Sequence, residues 1–125
     1  MVDQTELKRI ADAVVAANHA GDVSDLFENY YHADCVSVEG MAMEGGPGRE
    51  AKGMDAIRAK GEWWDENHEM HDATTEGPFL HGENQFAVIY GIDVTTKATG
   101  ERMQMREVGL YTVEGGKIIK EEFFY

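Results

Sequence analysis

The chain opens with a helical period. Leu7, Ile10, Ala11, Val14 and Val15 recur at the i, i+3, i+4, i+7, i+8 spacing of one buried helical face. Asp3, followed three residues later by Glu6, predicts the N-terminal cap, and Gly21 stands where a left-handed stop is expected. Asp22 and Asp25 then open a second helix whose apolar face is predicted as Leu26, Phe27, Tyr30 and Tyr31. The period drops to two at the next stretch, where Val36 and Val38 alternate with Cys35, Ser37 and Glu39 in a short strand. Residues 40–53 hold Gly40, Gly45, Gly46, Pro47, Gly48 and Gly53, too much glycine for the inside of an element, and are predicted irregular. A third helix is expected over residues 55–66, with Ile57 and Trp64 on one side and Trp63 beside them. Gly61 inside it costs about 1 kcal/mol relative to alanine, for which a close approach to the sheet is the expected reason.

The remainder reads as β-structure. Residues 67–76 form a polar strand, and Gly77-Pro78 and His81-Gly82-Glu83-Asn84 are turn signals. Residues 85–97 alternate with Phe86, Val88, Tyr90, Ile92 and Val94 on one face. Thr99-Gly100 turns the chain into a strand over residues 102–113, and Glu114-Gly115-Gly116 leads by a hairpin into residues 117–125. Helix, helix, strand, helix and four strands joined by short turns make an α+β chain with an antiparallel sheet.

Composition narrows the function classes. The 125 residues include 24 acidic and 11 basic side chains, a formal net charge of −13, which repels phosphate and argues against nucleic-acid binding. At 42% hydrophobic the chain buries a real core as one domain over residues 1–125. No run reaches the roughly 20 apolar residues of a membrane helix, and the start of the chain does not read as a signal peptide, so a cytoplasmic location is expected. Cys35 is the one cysteine, which excludes an internal disulfide and a thiolate metal site. His68 and His71 stand at i, i+3 on a predicted strand and point to opposite faces, so no metal site is expected from them. Gly45-Gly46-Pro47-Gly48 is followed by no Gly-Lys-Ser/Thr, so no phosphate loop and no cofactor is implied.

The order of elements, with His19-Ala20-Gly21-Asp22 closing the first helix and residues 31–39 (YHADCVSVE) entering the first strand, resembles the nuclear-transport-factor-2-like superfamily. That superfamily includes ketosteroid isomerases and SnoaL-like polyketide cyclases. The tracts KGEWW (60–64), NHEMH (67–71), EVGLYTV (107–113) and EEFFY (121–125) look like a SnoaL-like subgroup. The resemblance implies a cone: three N-terminal helices packed on a curved, mainly antiparallel sheet, with a pocket at one end. It also implies a homodimer through the outer face, where Ala87, Ile89, Val108 and Leu110 are apolar. The ketosteroid isomerase positions are not kept. The base falls on Gly40, with Glu39 beside it aimed at the other face, the oxyanion tyrosine falls near Val14, and the protonated acid falls near Gly109.

The same register points Met103, Met105, Glu107, Gly109, Tyr111 and Val113 into the pocket, with Ile119, Glu121, Phe123 and Tyr125 from the last strand. Glu107 and Glu121 are thus the candidate acid/base pair, two carboxylates on otherwise apolar inner faces. The alternative is that they pair with Arg102, Arg106 or a histidine, or sit at the rim. Trp63 and Trp64 read as core or as an aromatic wall for an apolar ligand. His68 is expected on the core face marked by Met70. Tyr90, Met105, Tyr111, Phe123 and Tyr125 complete the binding set, and Met41 and Met43 suggest a lid. Two functions follow: a cofactor-independent isomerase, cyclase or lyase on a small apolar molecule, or a non-catalytic ligand-binding or dimerisation module.

Overall fold

The first helix is capped as its sequence predicts. In the computed structural model, which describes residues 3–42 and 45–125, the Asp3 carboxylate accepts the Thr5 backbone N–H at 2.7 Å and α1 runs Gln4–Ala20. It stops at Gly21, whose φ of 74° is left-handed backbone that glycine adopts without penalty. Then α2 (Ser24–Asn29), β1 (Tyr31–Val38), β2 (Glu50–Lys52), α3 (Met54–Asn67), β3 (His68–His81), β4 (Gln85–Thr96), β5 (Arg102–Glu114) and β6 (Lys117–Phe124) follow. Met43, expected in a lid, lies outside the described residues.

The strands form one mixed six-stranded sheet in the order β2-β1-β6-β5-β4-β3. The pair β1/β6 is parallel and the other pairs are antiparallel. Leu7, Ile10, Ala11 and Val14 of α1 and Met54 and Ile57 of α3 close the inner face over Cys35, Phe86, Val88, Tyr111, Val113 and Ile118. Among the described residues no helix is long and apolar enough to cross a membrane.

Several expectations are corrected. The helices are not all N-terminal, because α3 follows β1 and β2. Tyr31 begins a strand instead of ending a helix: the Tyr30 carbonyl accepts the Ile118 N–H at 2.8 Å, so the chain enters the sheet here. The glycine-rich stretch hides β2, which pairs with residues 36–38. Gly77-Pro78 is no turn. It lies within β3 where the register to β4 shifts, a bulge on the edge strand, where proline's missing N–H is tolerated. A second register shift, between Thr112 and Val113 in the β5/β6 pair, flips the parity of β6. Ile118, not Ile119, is the fully buried residue. Met70 does not mark the core: on the same edge strand it is 48% exposed. Gly61 makes no close approach to anything, since a Cβ there meets open space.

Candidate functional site

The polar centre of the molecule lies where β1 and β6 run side by side under α3. Their parallel register sets Ser37 beside Glu121, and both are buried among apolar residues. Glu121 is held at both oxygens: the Tyr31 hydroxyl donates to Oε2 at 2.5 Å and the Ser37 hydroxyl to Oε1 at 2.8 Å. From α3, Lys60 reaches down and donates to Ser37 Oγ at 2.5 Å and to Glu39 Oε1 at 2.9 Å. Its ammonium lies 5.3 Å from the centre of the Phe123 ring, a cation–π contact. The Lys60 and Glu39 side chains are only 14% and 19% exposed, so this ion pair is largely withdrawn from water. Tyr125 closes the chain by donating to Glu39 Oε2 at 3.2 Å.

Glu107 stands apart from this chain of bonds. It lies opposite Tyr90 on the inner face and makes no side-chain hydrogen bond or ion pair among the described residues. Burial, then the charge of Glu39, push its carboxyl up to about 7, against the pull of Lys60. Burial raises Glu121 as well, while Tyr31, Lys60 and Ser37 oppose it. Next to Glu107 the Tyr90 and Tyr111 hydroxyls meet at 2.5 Å, and Asn18 of α1 donates to Tyr90 Oη at 3.4 Å. Gly109 lets these rings converge. A Cβ there would stand 3.0 Å from Tyr90, 3.1 Å from Tyr111 and 3.3 Å from Phe123.

The expected residues are therefore partly gathered. Glu107, Glu121, Tyr90, Tyr111, Phe123 and Tyr125 share one region, and Met105 is half-buried on the same face, opposite Ile92. The inner faces are not otherwise apolar, because Tyr31, Ser37 and Lys60 surround Glu121. The cation is Lys60; Arg102 pairs with Asp93 and Arg106 with Glu76 on the outer face. His68 stacks on Trp64 with centroids 3.8 Å apart and contacts the Trp64 carbonyl at 3.0 Å, closing the end of α3 without touching the carboxylates. His71 contacts Thr95 instead, and among the described residues no cluster of histidine, cysteine and carboxylate groups fits a metal ion. Trp63 lies against the glycine-rich loop, where a Cβ on Gly46 would collide with its ring. Two open concavities reach none of Glu39, Lys60, Glu107 and Glu121, although Tyr31 lines one and Met105 the other. One of about 320 Å³ is lined by Thr74, Gly91, Asp93 and Arg106, and one of about 530 Å³ by Phe27, Tyr31, Lys52, Met54 and Arg58.

Glu39 is the main correction. It was expected to point away, yet Cys35 and Ser37 are the fully buried residues of β1 and Glu39 continues their parity inward. The signal was present: a glutamate two residues beyond a small buried serine. Lys60 had one too, being three residues after Ile57 and four before Trp64, hence on the buried stripe of α3.

A family model described as SnoaL-like domain matches residues 5–125. A Mesorhizobium loti protein named as a candidate SnoaL-like polyketide cyclase, with carbohydrate phosphatase in the same name, is 44% identical over 100% of both chains, with a TM-score of 0.78. An NTF2-like protein of Burkholderia thailandensis has 19% identity, a TM-score of 0.78, and coverage of 94% of this chain and 88% of its own. A candidate isomerase of Bacillus subtilis has 14% identity, a TM-score of 0.72, and coverage of 98% and 88%. No curated protein matches the chain.

Proposed function

The chain belongs to the SnoaL-like domain family, and from that premise we propose that it moves a proton on a small, neutral, mostly apolar carbonyl compound without a cofactor. Glu107 is the group that exchanges the proton. The observation that carries this reading is its geometry: an unpaired, half-buried carboxylate on the inner face, beside Tyr90 and within the field of the Lys60–Glu39 pair. Near neutral pH such a carboxyl is divided between acid and base, the condition for efficient proton transfer. Glu121, whose two oxygens are taken by Tyr31 and Ser37, has no free oxygen for a substrate and is not a second shuttle.

The charge of the region selects the substrate. Three carboxylates surround one ammonium, which is already engaged, in a chain of net charge −13. A phosphate ester would meet repulsion here, so the phosphatase in the relative's name is not carried over. Tyr90, Met105, Tyr111 and Phe123 supply the apolar surroundings, with Trp63 as an aromatic wall.

The test is deuterium incorporation next to the carbonyl of small aryl ketones and 1,3-diketones in D₂O near neutral pH, followed by proton NMR. Wild-type protein should accelerate exchange, and Glu107→Gln should lose about 10²–10⁴-fold of that acceleration. Ketone binding with no exchange would replace this reading by that of a ligand-binding module, a reading favoured by the saturated hydrogen bonds of Glu121.

We also propose a homodimer through the outer face. Phe79, Ala87, Ile89, Val108, Leu110 and Phe124 share that face by register, with Phe79 and Phe124 51% and 52% exposed. A solvated sheet does not leave such a patch open. Sedimentation of a monomer at micromolar concentration would refute it.

A further inference from the structure

Lys60 is the one cation in contact with the interior polar chain among the described residues. We propose that Lys60 is a positioning residue: by binding Ser37 and Glu39 together it keeps the oxygens of Glu121 and Glu39 engaged as hydrogen-bond acceptors and leaves Glu107 as the carboxylate free to exchange a proton. This rests on the acid/base reading of Glu107.

The argument is one of hydrogen-bond direction. An ammonium donates and cannot accept. Ser37 therefore accepts from Lys60, and its single hydroxyl hydrogen goes to Glu121 Oε1. Tyr31 fills Oε2. Both oxygens of Glu121 are then engaged, and a proton on Oε1 would oppose the Ser37 hydroxyl hydrogen in buried surroundings. Glu39 is treated in the same way from its two sides, by Lys60 at Oε1 and Tyr125 at Oε2. Lys60 thus polarises a continuous line running from Glu39 through Ser37 to Glu121, and Glu107 feels the charge of both ends, Glu39 more than Glu121.

The groups that share this field come from every neighbouring element. They are Tyr31, Cys35 and Glu39 from β1 and its end, Tyr90 from β4, Glu107 and Tyr111 from β5, and Glu121 and Tyr125 from β6 and its end. Burial drives the Cys35 thiol to about 12, and the phenols of Tyr31, Tyr90 and Tyr111 rise for the same reason. None of these four ionises in the neutral range. Proton traffic near pH 7 is thereby confined to the carboxylates, and among the described residues the opposite charge they share is Lys60.

The experiment is an NMR titration of the side-chain carboxyls in protein labelled with ¹³C at glutamate Cδ, for wild type, Lys60→Met, Lys60→Gln, Lys60→Arg and Ser37→Ala. Loss of the ammonium should raise the Glu107 midpoint by about one pH unit or more. Lys60→Arg keeps the charge and should return the midpoint to the wild-type value. Ser37→Ala leaves the Lys60–Glu39 pair in place and should raise Glu121 while leaving Glu107 where it was, and Lys60→Gln, which keeps a donor without the charge and should raise Glu107 as Lys60→Met does, decides the matter if Lys60→Met does not fold. An unmoved Glu107 in folded Lys60→Met or Lys60→Gln, or an unmoved Glu121 in Ser37→Ala, overturns the proposal. Where exchange is measurable, its pH profile in Lys60→Met should move in step with Glu107. Absence of exchange in wild type would refute the acid/base reading alone, while the titrations still decide the role of Lys60.

Discussion

The two faces of the β4/β5 ribbon carry the same kind of group in opposite conditions. On the inner face Glu107 lies opposite Tyr90, with no partner among the described residues, and its carboxyl is pushed up to about 7 by burial and by Glu39. On the outer face Asp93 lies opposite Gln104 and takes two hydrogen bonds from Arg102, at 2.9 and 2.8 Å, which hold its carboxyl down at about 2. These residues share a strand pair and a backbone geometry. What separates them is whether a cation can be reached before water is lost. The outer face forms ordinary ion pairs, Asp93–Arg102 and Glu76–Arg106. Among the described residues the inner face has one lysine for three carboxylates, and Glu107 is left without a partner.

The largest expected difference between the faces is in stability. The folded pKa of Glu107 is raised, so its ionised form destabilises the protein above about pH 7, and this burden disappears as pH falls below the unfolded value near 4.5. Glu107→Gln should therefore stabilise by roughly 2 kcal/mol at pH 8 and by little at pH 4, read from chemical denaturation at both pH values. An equal effect at both would break the contrast. Glycine sharpens it next. Gly109→Ala on the inner face sets a methyl against three rings and should cost about 1–3 kcal/mol. Gly91→Ala on the outer face meets only the hydroxyl of exposed Thr74, which can rotate away, and should change the melting temperature much less. The smallest effect belongs to Asp93→Asn. Its depressed pKa contributes stability that is present above the unfolded value and is lost as pH falls through about 2. The variant should be slightly less stable at neutral pH and equal to wild type near pH 2, the opposite sign to Glu107→Gln.

Much of this was legible in the chain. Helical and alternating periods mark α1, α3, β4 and β5 because each has one apolar side, and burial of that side is what creates the element. The inward parity of β4 and β5 followed from the same alternation, which carried Glu107 and, on β6, Glu121 to the correct face. Glu39 and Lys60 were missed. Glu39 was turned outward by matching the isomerase base to Gly40, although Cys35 and Ser37, its i−4 and i−2 neighbours, are buried, and Lys60 is a polar residue on the stripe of Ile57 and Trp64. Ile119 and Gly77-Pro78 were misread because bulges change parity within a strand, and a bulge is decided by the partner strand.

By itself the sequence determined the classes of element, the family, and a surplus of acid. Local period, composition and turn chemistry are properties of neighbours along the chain. Only the tertiary structure decided which polar groups meet. Tyr31, Ser37, Lys60 and Glu121 are spread over some ninety residues, and it is the parallel pairing of β1 with β6 under α3 that joins them. That pairing removes water from Glu121 and supplies its donors in the same step. It leaves Glu107, one strand away, with the loss of water and without the donors.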